Sequence, residues 1–208
     1  MKPDITALTP EQAAELLQQL QVAQRVSVAV YHRMLRLFDE LGASMGGQFL
    51  RWHPAETDRP PMSTTAPSGK WAWDLLPLYA SVHHYLRCAS SACATAGDQA
   101  LRISCYLDEG FRRSQRSLHQ PHGEPDPLSL PLGEASLTLN LWHCQRAGTR
   151  PMSALVDEQV GLMQAPTQQA LAQSSLTQAV ADADPMPAWR PAGDQLLHWR
   201  LQVPLAQL

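Results

Sequence analysis

The chain has 208 residues, a mass of 23.0 kDa, a formal net charge of −3 and a pI near 6.2. That length suits one domain with a sizeable core, and a 44% hydrophobic composition excludes a wholly disordered chain. The acidic balance excludes a generally basic nucleic-acid coat.

The first residues, Met1-Lys2-Pro3-Asp4-Ile5-Thr6, lack the basic start and apolar core of a signal peptide, and no run of 18 apolar residues occurs. Both observations point to the cytoplasm. Lys occurs only at positions 2 and 70, so 14 of the 16 basic residues are Arg. A GC-rich bacterial genome produces that bias; so does selection for bidentate or stacking contacts.

Thr9-Pro10-Glu11-Gln12 reads as a helix start, with Thr at the N-cap, Pro at N1 and Gln as capping-box partner. Apolar or small residues then recur at Leu16, Leu20, Ala23, Ser27, Val30, Met34, Leu37 and Leu41 in steps of four and three, until Gly42 and Gly46-Gly47 end the helix. At 1.5 Å per residue it would run roughly 50 Å. That exceeds the width of one domain, so the helix bends, breaks near Ala23–Ser27, or projects. The stripe serves either as a face packed on the chain's own sheet or as a dimer seam; the small residues at its middle favour packing within the chain.

Gln48-Phe49-Leu50-Arg51-Trp52 reads as a short strand, and the proline-rich stretch 54–70 as a loop. From Leu78 to Cys88 the residues alternate, with Val82, His84 and Leu86 on one side and Ser81, His83, Tyr85 and Arg87 on the other. Leu101, Ile103, Cys105 and Leu107 oppose Arg102, Ser104, Tyr106 and Asp108 in a third strand, which forms a hairpin with the second. Residues 112–132 read as a loop. Leu137, Leu139, Leu141 and His143 then oppose Ser136, Thr138, Asn140, Trp142 and Cys144. Residues 155–163 and 167–181 read as weak helices, and 182–193 as a connector. The last strand sets Leu197, Trp199, Leu201 and Val203 against His198, Arg200 and Gln202.

The sum is a single α+β domain. A long N-terminal helix over 1–45 packs on a mainly antiparallel sheet of four to five strands over 46–208, with a helical insertion near 155–181 before the last strand.

An antiparallel sheet can bury one face and wet the other. Here the second face would carry Tyr79, His83, Tyr85, Arg87, Arg102, Tyr106, Trp142, His198 and Arg200. Aromatic and Arg side chains of this kind mark protein-docking surfaces and also suit stacking on single-stranded nucleic acid. The bland alternative is that loops or the weak helices cover this face and make it a second small core.

Candidate chemistry is thinner. His84, Cys88, Cys105 and His143 fall on one side by strand parity and are zinc-type ligands, but that side is the apolar one, and beyond Cys88 and Cys93, separated by four residues, no second close pair completes a set. A cysteine nucleophile needs a base beside it. His143-Cys144 cannot supply one, because adjacent strand residues point apart. Asp108-Glu109-Gly110 suits a turn better than a carboxylate pair. Gly46-Gly47 and Ser68-Gly69-Lys70 are fragments that complete neither a Walker loop nor a dinucleotide fingerprint.

No catalytic residue, metal or cofactor is therefore assigned. The expectation is a non-enzymatic bacterial cytoplasmic adaptor, inhibitor or accessory subunit. It would dock a protein on the aromatic and Arg face, with self-association through the N-terminal helix as a further mode and no membrane partner. A single-stranded nucleic-acid binder using the same face is the first alternative. A hydrolase-type enzyme with an unassigned His/Asp/Cys site is the second.

Overall fold

Helix α1 runs without a break from Pro10 to Ser44. Thr9 and Gln12 form the reciprocal capping box at its start: Gln12 N–H donates to Thr9 Oγ1 at 3.3 Å and Thr9 N–H to Gln12 Oε1 at 3.0 Å. At the other end, Gly47 N–H bonds the Gly42 carbonyl at 3.0 Å and Gly46 N–H bonds the Ala43 carbonyl at 2.8 Å. This is a Schellman closure, and it places Gly46 at a φ of 70°, where a glycine is favoured. Gly42, expected as a terminator, instead lies inside the helix and is buried.

The computed structural model describes residues 9–112, 123–127, 129–164 and 188–207. Beyond α1 these form strands β1 (Gln48–Pro54), β2 (Ala80–Arg87), β3 (Gln99–Tyr106) and β4 (Ser136–Cys144), helix α2 (Met152–Gln164), and strands β5 (Arg190–Ala192) and β6 (Leu196–Pro204). One six-stranded sheet has the order β1-β2-β3-β4-β6-β5, with every pairing antiparallel. The class is α+β, with slightly more strands than the alternation suggested. The addition is β5, in the stretch whose prolines suggest a connector; Gly193, at a φ of 70°, turns it back onto β6. The first weak helix is α2, and the second, 167–181, lies outside the described residues.

The sheet is covered on both faces. Met34 and Phe38 of α1 pack with Tyr85, Leu101, Ile103, Cys105 and Leu137. On the opposite face, Met152 and Val156 of α2 pack with Ala100, Trp142, Cys144 and Leu196. A third cluster, Ala80, Tyr106 and Phe111 with Trp73, Tyr79 and Leu130, closes one end. There Trp73 lies 4.2 Å from Phe111 between ring centroids and donates its indole N–H to the Pro125 carbonyl at 2.9 Å. No helix among the described residues is long and apolar enough to cross a membrane.

The helix–sheet contact turns on Gly42. A Cβ there would overlap the Tyr85 ring, so the missing side chain lets ring and helix backbone meet. Gly42→Ala is expected to lower stability by about 1–3 kcal/mol through overpacking, measured as a reduced urea midpoint. The same change made in Tyr85→Leu should cost less, because the two positions are coupled.

Candidate functional site

Strand register assigns the faces. His83 lies opposite Ile103, and Tyr85 opposite Leu101, so the odd-numbered side chains of β2 share the α1 face. Arg102, by contrast, lies opposite His84 and Asn140, and Asn140 opposite Arg200. The alternation within each strand holds, but β2 is turned over relative to the expected sheet, because one residue of register exchanges the faces. The nine expected docking residues are thereby divided.

On the α1 side, Tyr85 is 3% exposed and donates its hydroxyl to Asp39 Oδ1 at 2.8 Å. His83 is buried between Phe38 and Trp52, with Ser81 Oγ 3.1 Å from its Nε2. Arg87 is exposed at the end of β2, and its guanidinium reaches the Met45 carbonyl at the α1 C-terminus at 3.5 Å. Tyr79 precedes β2 and donates its hydroxyl to Asp108 Oδ2 at 3.0 Å.

On the α2 side lie Arg102, Tyr106, Trp142, His198 and Arg200. Trp142 is 0% exposed and stacks on His198 at 5.0 Å between centroids. Tyr106 is buried, donates to Glu56 Oε1 at 3.0 Å and carries the Arg112 guanidinium 4.1 Å above its ring. Of the aromatic side chains expected at a surface, Tyr85, Tyr106 and Trp142 are therefore inside and Tyr79 is half-buried: each end of the sheet needs large side chains to fill the space beneath α2 or the closing loops.

What the α2-side face does present is a cross-strand row: Arg51 on β1, His84 on β2, Arg102 on β3, Asn140 on β4 and Arg200 on β6. Alternation had set His84 on the apolar side and passed over Arg51 and Asn140. Reading β2 in the opposite parity would have found the row. Asp157 of α2 forms an ion pair with Arg51. His198 Nε2 lies 3.1 Å from Asn140 Oδ1. His53 stacks on His84 at 5.5 Å. Buried side-chain atoms with no hydrogen-bond partner among the described residues gather on the same face: His84 Nε2, Arg102 Nε, Ser104 Oγ, Thr138 Oγ1 and Trp142 Nε1.

The His and Cys side chains weighed as metal ligands or nucleophiles are dispersed. His84 faces α2, whereas Cys105 and His143 share the α1 face with Ser81 and Gln99. Cys88 lies beyond the end of β2 and is exposed. No group of three or more His, Cys, Asp or Glu among the described residues is placed to hold a metal. Burial pushes the Cys105 thiol up to about 12, and its Sγ contacts Met34 Sδ at 3.6 Å. The Cys144 thiol is also raised by burial and donates to the Arg146 carbonyl at 3.1 Å. Neither is suited to be a nucleophile. Asp108 is turn chemistry, as its context suggested: Oδ1 accepts from Gly110 N–H at 2.8 Å and Gly133 N–H at 2.7 Å.

The second surface feature is α1 itself. Between Pro10 and Val30 no residue is buried. Leu16, Leu17, Leu20, Val22, Val26 and Val28 are each 50–66% exposed. By helical periodicity, Leu16, Leu17, Leu20 and Ser27 continue the stripe that Tyr31, Met34, Leu35 and Phe38 place against the sheet. The N-terminal half therefore projects for roughly 30 Å with its apolar side uncovered by any described residue. No protein-family model, curated protein or solved structure matches the chain.

Burial lowers the pKa of His83 from 6.5 to about 4 and that of His84 to about 3, the Arg51 and Arg102 charges adding to the second. Below about pH 6.5 the unfolded chain takes up protons that the folded chain refuses. Stability should be level above about pH 7 and fall as pH drops from 6.5 towards 4. The urea midpoint at pH 5.0 should lie below that at pH 7.5, with a smaller difference in His83→Gln.

Proposed function

We propose that the protein is a non-enzymatic adaptor, inhibitor or accessory subunit of the bacterial cytoplasm that acts by binding another protein. The observation carrying this reading is the projecting half of α1, whose Leu16 and Leu20 are 50% and 52% exposed on one continuous stripe. A helix with an unburied apolar side gains about 1.5–3 kcal/mol for each large side chain a partner covers, and exposed apolar patches of this kind mark interaction sites. A partner helix laid along the stripe is the matching geometry.

The docking surface is thus proposed on the helix rather than on the expected sheet face. The aromatic side chains that would have anchored a partner, Tyr85 and Trp142, are committed to the interior. The same burial takes support from the single-stranded nucleic-acid reading, which needs exposed rings for stacking.

The native mass of the protein purified gently from its own host tests this. A species heavier than 23.0 kDa is expected, reduced to the bare chain by Leu16→Glu with Leu20→Glu. Those side chains touch little of the fold, so the melting midpoint should hold. A bare chain in the unaltered protein would overturn the proposal. A companion that is nucleic acid, released steeply by salt, would favour the alternative.

A further inference from the structure

We propose that the α2-side sheet face holds a binding site for an oxyanion, a carboxylate or phosphoryl group, centred on Arg102 and Arg200. Three observations converge there. First, the two guanidinium groups sit on the same cross-strand row with Asn140 between them. Among the described residues neither forms an ion pair; of the acids beside the row, Asp157 is paired with Arg51 and Glu109 with Arg112. Asn140 Oδ1 is taken by His198, which leaves the amide N–H₂ to donate.

Second, the side chains flanking the row have unmet hydrogen-bonding capacity. His84, Ser104 and Thr138 are 5%, 6% and 5% exposed, and His84 Nε2, Ser104 Oγ and Thr138 Oγ1 lack partners among the described residues, as does Arg102 Nε. Ser104 and Thr138 lie opposite each other, two residues along from Arg102 and Asn140 and on the same face. Buried polar atoms are ordinarily satisfied. A cluster that mixes hydroxyls, amide and guanidinium, with both neighbouring acids already engaged, offers donors to an acceptor-rich guest. An oxyanion accepts from all of these types and opposes the charge.

Third, the site reaches solvent at β6, where Arg200 and Gln202 are exposed. Arg200 Nη2 donates to Gln202 Oε1 at 3.3 Å and Gln202 Nε2 to Glu109 Oε1 at 3.2 Å, which leaves the other guanidinium donors of Arg200 to a guest. It lies on the sheet face opposite α1, so it stands independently of the proposed helix contact.

The test uses the full chain with isotope-labelled histidine, titrated by NMR with inorganic phosphate and, separately, with citrate. A saturable shift of the His84 resonance is expected with at least one probe, together with a melting midpoint that rises with its concentration. Saturation by phosphate alone assigns a phosphoryl ligand, and saturation by citrate alone a carboxylate. Arg200→Gln, at an exposed position, should weaken binding about tenfold or more, as loss of one charge-assisted hydrogen bond implies. Arg36→Gln, on the exposed surface of α1, should leave it unchanged. Arg102→Met should abolish binding while the midpoint of the unliganded protein holds or rises, because a half-buried charge without an ion-pair partner among the described residues has been removed. A His84 resonance that follows neither probe, or binding that survives both Arg200→Gln and Arg102→Met, would overturn the site.

Discussion

The contact between Gly42 and Tyr85 organises the molecule. With no side chain at Gly42 the helix backbone comes down onto the Tyr85 ring, and the hydroxyl at the far end of that ring reaches Asp39 on the same helix. The ring is thus held by α1 at both ends. Phe38 settles beside it against His83, and Met34 follows one turn earlier in the same core. The Schellman closure comes next, so the chain leaves α1 in a set direction and enters β1 with almost no intervening loop. Helix end and sheet margin are therefore positioned by one event, and Arg87, on a neighbouring strand, closes it by bonding the Met45 carbonyl.

The two sheet faces solve different problems. Under α1 the core side chains are mostly apolar or aromatic, with Ser81 and His83 as a buried polar pair, and burial supplies most of the stabilisation. Under and beside α2 the face is mixed. Trp142, Ala100 and Leu196 form an apolar corner with Met152 and Val156, while the next rows along the strands are hydroxyl, amide, imidazole and guanidinium. Polar groups at that depth carry a desolvation cost unless something answers them. A fold that retains such a row trades stability for a chemical capability, a balance commonly found where proteins bind ligands.

Much of this was legible in the residues. The Thr9–Gln12 box, the four-and-three stepping of α1 and the alternation of β3, β4 and β6 each rest on local physics that tertiary contacts do not override. Three features were not legible. Gly42 read as a stop signal because glycine is unfavourable inside a helix; its reason for being there is a ring on another strand. The parity of β2 was ambiguous because both of its sides mix apolar and polar residues: Val82 and Leu86 on one, Tyr85 beside Ser81 on the other. Only pairing with β3 decides between them. Strand β5 is three residues with a proline at its centre, too short to show periodicity. The docking face failed with β2, since Tyr85 and Trp142 belong to different cores; the row containing Arg102 and Arg200 emerged from the same correction.

The margins of the sheet carry a last consequence. On one side β1 is irregular, with a register shift between Phe49 and Arg51. On the other, β5 offers Pro191, which lacks an N–H, within its three residues. Bulges, prolines and very short border strands keep a sheet from templating another chain. Neither border therefore gives an incoming peptide a regular ladder of amides to extend. These borders disfavour open-ended stacking of sheet on sheet, and recognition of another chain would rest on side-chain shape and charge rather than on backbone addition.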